Sequence, residues 1–104
     1  MIGYDFHPEA RVDLYDIWDF IADYSPEAAD RVADDIVAAI AALVPFPRQG
    51  HRRPYLTSRP LRFIRVYDYL VAYAPEENPL WVVAIVHGSR SPRVIAAILR
   101  SREE

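Results

Sequence analysis

Apolar residues recur every three or four positions in two stretches near the N-terminus, which predicts two amphipathic helices. The first begins at Glu9, and its inner stripe consists of Ala10, Leu14, Ile17, Trp18 and Ile21. The second begins at Pro26, where Ser25 can cap the first turn, and continues to Val44. Because the link between them is short, we expect the two helices to form an antiparallel hairpin.

Strand patterns lie on both sides of this hairpin. Ile2–Phe6 alternates and ends before Pro8, which predicts a first strand. A proline- and arginine-rich loop of about fifteen residues follows the helices, long enough to suggest a function or local structure. The aromatic and β-branched segments Leu61–Tyr67 and Tyr69–Ala74 predict a two-stranded hairpin. The contiguous apolar run Leu80–His87 predicts a central strand that is covered on both faces.

The C-terminal segment predicts one more helix. Ser91-Pro92 repeats the cap and first-position pairing, and apolar residues recur at helical spacing as far as Leu99. The polar tail, residues 100–104, is expected to fray. We therefore predict a single α+β domain over residues 1–104. It has an N-terminal strand, an antiparallel helical hairpin packed on a mostly antiparallel four-stranded sheet, and a short C-terminal helix.

Composition narrows the chemistry. The chain has no cysteine, so disulfides and thiolate sites are excluded, and its 12 basic residues are all arginine, so no lysine is available as a base. Net charge is −3, with ten acids among residues 1–35 but six arginines and no acid among residues 36–67. The N-terminus lacks the features of an export signal, and the longest apolar stretch is shorter than the ~20 residues that span a membrane. We expect a cytoplasmic protein with no membrane segment.

Several segments resemble the ParE branch of the RelE/ParE toxin superfamily and occur in the family's order. They are the acidic and aliphatic run Ala10–Ile21, the helix start Pro26–Arg31, the exit Phe46–Gly50, the pair Leu61-Arg62, the strand Tyr69–Tyr73, and Ile85–Arg90, which is similar to the family's closing V-x-H-x-x-R. The C-terminal helix is longer than expected of a minimal ParE, which suggests a contribution to partner choice.

The resemblance implies the toxin of a type II toxin-antitoxin, or plasmid stabilization, system that inhibits DNA gyrase by binding. It also implies a cognate ParD-like antitoxin that neutralises the toxin in a hetero-oligomer. We expect no cofactor, no metal site and no direct sequence-specific contact with nucleic acid. The expected target- or antitoxin-binding residues are Arg62, Arg65, His87, Arg90 and Arg93.

Two other functions stay open. The RelE branch cleaves messenger RNA on the ribosome, which requires a base, an acid and cations around the phosphate. His87, Tyr69, Arg62 and Arg90 are the candidates for such a site, and a phosphate-sized hollow that gathers His87, a tyrosine and two arginines would put the nuclease in first place. The acidic net charge and the missing lysines favour binding instead. The third hypothesis is a non-toxic module that only binds an antitoxin.

Each candidate residue also has an ordinary structural explanation. His87 is as well explained as a histidine that bonds the turn at Gly88. Arg62 and Arg65 differ by three in a strand, so they are expected on opposite faces and no single facial site holds both. The loop arginines Arg48, Arg52, Arg53 and Arg59 fit a solvated loop, Trp18 and Trp81 fit the core, and the acids of the first helix fit a solvent-exposed face.

Overall fold

Four strands and three helices form within residues 3–103, the part of the chain that the computed structural model describes. They are β1 (Tyr4–Phe6), α1 (Pro8–Ala22), α2 (Pro26–Leu43), β2 (Arg62–Val66), β3 (Tyr69–Ala74), β4 (Leu80–His87) and α3 (Pro92–Arg100). The predicted order of elements and the α+β class are confirmed. Ile2, which the sequence placed in the first strand, lies outside the described residues.

Each helix begins with a capping residue followed by proline. The Ser25 and Ser91 hydroxyls accept hydrogen bonds from the N–H groups of Ala28 and Val94, both at 3.2 Å, as the sequence predicts. α1 begins one residue earlier than expected because the His7 ring accepts from the Glu9 N–H at 3.0 Å. Capping therefore fixes the helix starts locally.

The sheet places β4 inside and β2 at one edge. The strand order is β1-β4-β3-β2, with β1 parallel to β4 and the other two pairings antiparallel. The helical hairpin covers one face, where Ile17, Ile36 and Ile40 join Val71 and Val82 in one core cluster. α3 and the long loop cover the other face, where a second cluster consists of Leu56, Leu61, Phe63, Leu70, Ala72, Val83, Ala84, Val86, Ile95 and Leu99. Cover on both faces explains why β4 is almost wholly apolar.

A β-bulge in β4 changes which side chains face which layer. Tyr73 pairs with Val82 but Ala72 pairs with Ala84, so Val83 is the extra residue. Val83 and Ala84 both join the α3-side cluster, and Ile85 returns to the hairpin side. The bulge therefore sets the face on which the last residues of β4 lie.

A buried ion pair links α1 to the C-terminal tail across the edge of β4. The Arg102 guanidinium donates to both carboxylate oxygens of Asp13, at 2.5 and 3.1 Å, and to the Val83 carbonyl at 3.2 Å. Asp13 also accepts from the Ile85 N–H at 2.9 Å. β1 pairs with β4 only as far as Val82. Beyond that residue, Asp13 and Arg102 bond to the β4 backbone groups that β1 is too short to reach.

Two expectations from the sequence are thereby wrong. The tail does not fray at Arg102, whose side chain is 10% exposed, and Asp13 is not on a solvated face, since its side chain is 16% exposed. Both side chains are buried because each neutralises the other and both bond to the backbone of β4.

The tryptophans are only partly buried. The Trp18 indole donates to the Asp30 carboxylate at 2.8 Å and so joins α1 to α2. Trp81 packs at the margin of the α3-side cluster. Trp81 therefore lies at the edge of the core, whereas the half-buried Trp18 bonds to a polar partner at the surface.

The long loop is fixed by local structure. The buried Tyr73 hydroxyl donates to the Pro47 carbonyl at 2.7 Å and accepts from the Gly50 N–H at 2.9 Å. A Cβ at Gly50 would lie 2.5 Å from that hydroxyl, so only glycine allows this approach. Farther along, His51 forms a bridge with Phe63, which attaches the loop to β2.

Arg102→Ala should lower the free energy of unfolding by about 3 kcal/mol, because it leaves the Asp13 carboxylate buried without its cation. Urea denaturation measures this change. The matched control is Arg100→Ala, which removes an exposed arginine two residues earlier. Equal, small losses in both variants would contradict a structural role for the buried pair.

Candidate functional site

A cavity of about 480 Å³ lies beside the final residues of β4. Its walls come from α1, from the ends of β3 and β4, and from the C-terminal segment. The lining residues are Asp13, Asp16, Ile17, Phe20, Tyr69, Ile85, Val86, His87, Arg90, Ile98 and Arg102. Three of the four residues proposed for a nuclease site, Tyr69, His87 and Arg90, are therefore brought together.

Tyr69 and His87 meet because they are register partners on β3 and β4. Their rings pack edge to face with centroids 5.4 Å apart. The Nδ1 atom of His87 accepts from the Ser89 N–H at 3.1 Å, so a neutral ring carries its proton on Nε2. His87 thus makes the turn contact expected of a structural histidine and also lines the cavity.

Burial shifts the ionisation of the tyrosine in this cavity. Desolvation raises the pKa of the Tyr69 phenol, and the negative charge of Asp68 raises it further. At neutral pH the phenol is protonated, and a raised pKa makes it a weaker acid than an exposed tyrosine.

The charges around the cavity balance. Arg90 and Arg102 are matched by Asp13 and Asp16, so the lining carries no net formal charge. Arg102 is already bonded to Asp13. Within residues 3–103, Arg90 makes no ion pair, which leaves it as the arginine available to a ligand here.

The other predicted site residues lie elsewhere. Arg62 is the first residue of β2, where it pairs with Tyr73 and lies outside the lining of the His87 cavity. Its guanidinium donates to the carbonyls of Arg48 and Gly50 at 3.2 and 2.8 Å. Arg65 bonds to the carbonyl of Tyr67 and pairs with Asp68 at the hairpin tip. Arg93 is exposed in the first turn of α3. The structure therefore does not assemble the five arginine and histidine candidates into one site.

Sequence reasoning missed Asp13 and Arg102 as parts of this cavity. Asp13 had a usable signal, because it lies three residues after Ala10 and four before Ile17, both of which are buried. Arg102 had none, since it stands in a polar segment beyond the last apolar repeat.

Most of the chain matches the model of a known protein family. The model of the family described as "ParE toxin of type II toxin-antitoxin system, parDE" matches residues 4–92. The chain belongs to this family. Two relatives named Toxin ParE2, from Mycobacterium tuberculosis strains CDC 1551 / Oshkosh and ATCC 25618 / H37Rv, are each 24% identical over 96 residues. Those residues cover 92% of this chain and 90% of each relative.

Family membership confirms the resemblance seen in the sequence and implies an antitoxin partner. The matched region of this ParE-family chain contains β1, the helical hairpin and the whole sheet. It ends at Pro92, the first residue of α3, so Ile98 and Arg102 line the cavity from beyond the match.

Two kinds of feature are absent from residues 3–103. No helix in that range has both the length and the apolar character needed to cross a membrane. Nor does that range contain a cluster of three or more His, Cys, Asp or Glu side chains positioned to hold a metal ion.

Raising the pH should destabilise the fold partly through Tyr69. Because the raised pKa keeps the folded phenol protonated when the unfolded one ionises, its contribution is present below about pH 10 and is lost as the pH rises through the folded pKa. The free energy of unfolding should therefore decline above about pH 10, and Tyr69→Phe should make that decline less steep. Urea denaturation at a series of pH values measures both slopes.

The matched control is Tyr15→Phe, which alters a tyrosine that is 65% exposed. An identical pH dependence in wild type and Tyr69→Phe would show that burial does not shift this phenol.

Proposed function

We propose that this ParE-family chain inhibits DNA gyrase by binding it, without catalysis, and that a ParD-like antitoxin neutralises the inhibition. Family membership supports a toxin with an antitoxin partner. The gyrase target follows from the ParE resemblance. We further propose that residues 1–104 act as one toxin domain in the cytoplasm.

The balanced charge of the His87 cavity supports a binding mechanism over a nuclease. A phosphorane intermediate gains most from cations fixed around it in a site without competing acids. Here Arg102 is bonded to Asp13, and Asp16 adds a second carboxylate to the lining. Among the lining residues, Arg90 is the arginine that makes no ion pair within residues 3–103. Arg62 does not line the cavity and lies at the start of β2, opposite Tyr73.

The ribosome-dependent nuclease is the second candidate, because one observation favours it. The cavity gathers His87, Tyr69, Arg90 and Arg102, which by residue type is the set predicted to put the nuclease in first place. The residue types of a nuclease site are therefore present. The positive charge of Arg102, however, is neutralised by Asp13, to which it is bonded. We therefore rank the nuclease below the binding function.

Purified chain should block DNA supercoiling by gyrase or trap cleaved DNA. Arg90→Glu should raise the concentration needed by about tenfold, because it reverses the one positive charge of the cavity that has no ion-pair partner among residues 3–103. The control is Arg100→Glu, which makes the same charge change on the exposed end of α3 outside the cavity.

Unimpaired supercoiling at saturating chain would refute the gyrase target. Transcripts cut on programmed ribosomes, with cutting lost in His87→Ala, would put the nuclease in its place. Normal bacterial growth when the chain is induced alone would favour the non-toxic module.

Arg93→Glu should slow association with an acidic antitoxin and reduce the dependence of the association rate on salt. Arg93 is the better choice than Arg62, whose guanidinium holds loop carbonyls. Stopped-flow association at several salt concentrations measures the effect. Arg31→Glu, on the outer face of α2, is the control, and equal slowing in both variants would exclude a specific contact by Arg93.

A further inference from the structure

The basic segment between residues 36 and 67 contains six arginines, three of which hold the long loop in place. Arg48 pairs with Glu76 at 2.6 Å, and Arg59 donates to the Leu99 carbonyl at 3.0 Å. Arg62 donates to the Gly50 carbonyl. Holding the loop accounts for these three, whereas two of the other arginines, Arg53 and Arg65, line a cavity.

A second cavity of about 480 Å³ lies at the β2 edge of the sheet, between the end of α2 and the loop. Its lining residues are Ala39, Ala42, Leu43, Gln49, Gly50, His51, Arg53, Phe63, Ile64 and Arg65. It differs from the His87 cavity because no carboxylate is among these lining residues. Its polar side chains are two arginines, a histidine and a glutamine.

Arg53 lines this cavity and carries an unsatisfied donor on its guanidinium. Its Nε atom is buried and has no hydrogen-bond partner within the described part of the chain. The same guanidinium lies over the Phe63 ring at 5.9 Å and donates to the Tyr55 hydroxyl at 2.9 Å. A buried N–H without an acceptor is costly, and since this Nε atom is closed to solvent, a ligand acceptor would remove that cost when the side chain turns toward the cavity.

The backbone of β2 adds a second donor. Phe63 exchanges both of its backbone hydrogen bonds with His51, at 2.8 and 2.9 Å, so these groups point away from β3. Alternate residues of a strand point the same way, so the Arg65 N–H also points to this outer edge. Over residues 3–103, no loop or neighbouring strand on that side supplies it with a backbone acceptor.

We propose that this cavity binds a phosphate group. A tetrahedral phosphate offers acceptor oxygens in several directions, whereas a carboxylate offers two in one plane, so phosphate suits donors on both loop and strand. Arg53 supplies the charge, and Arg65 contributes mainly its backbone, because its side chain is bonded to Tyr67 and Asp68. The same donors suit inorganic phosphate and the phosphodiester of a DNA duplex. The proposal is independent of the gyrase target.

The first experiment follows the Arg53 Nε–H signal by NMR while inorganic phosphate is added at constant ionic strength. The signal should shift saturably with phosphate and not with acetate. Ala42→Glu places a carboxylate in the cavity and should weaken phosphate binding by about tenfold or more. Ala41→Glu, an exposed neighbour on α2 outside the lining, should change it by less than about threefold.

The second experiment identifies the source of the phosphate, using fluorescence anisotropy with a short labelled DNA duplex. If the group belongs to DNA, Arg53→Gln should weaken duplex binding more than Arg52→Gln and lower the salt slope by about one. Phosphate binding without duplex binding would assign the site to free phosphate. An Arg53 signal that does not shift, equal shifts with acetate, or equal losses in Ala41→Glu and Ala42→Glu would overturn the proposal.

Discussion

The hydrogen bonding of β4 beyond the end of β1 is the constraint on which the arrangement of layers depends. β1 pairs with only three residues of β4, and the bulge at Val83 turns further backbone groups toward the uncovered edge. Asp13 from α1 and Arg102 from the tail satisfy those groups and neutralise each other. One ion pair therefore connects the helical hairpin on one face, the central strand, and the segment that follows α3 on the other face.

The same pair determines the electrostatics of the His87 cavity. The bulge brings His87 to the hairpin face beside Tyr69, where α1 also contributes Asp16. Because Arg102 is bonded to Asp13, a site with the residue types of a nuclease keeps Arg90 as its one lining arginine without an ion pair among residues 3–103, whereas phosphoryl chemistry uses several cations. On this basis we propose recognition of a partner at this cavity in preference to cleavage.

Charge is segregated across the molecule as well as along the chain. The acids of the first 35 residues lie largely on the outer surface of the hairpin, whereas the six arginines of residues 36–67 lie in the loop and along β2. Internal carbonyls bind Arg59 and Arg62, and Glu76 binds Arg48. The β2 edge therefore has a basic cavity in a protein whose net charge is negative.

Local pattern in the sequence determined the elements, because helix periodicity, the Ser25 and Ser91 caps and the apolar run of β4 act over a few neighbouring residues. It also placed Tyr69, His87 and Arg90 near strand ends, and three of the four nuclease candidates do meet. Tertiary structure alone decided the bulge, the burial of Asp13 and Arg102, and the separation of Arg62 from His87. The pair joins residues 89 positions apart. Neither side chain is buried favourably without the other, so no local pattern records their contact.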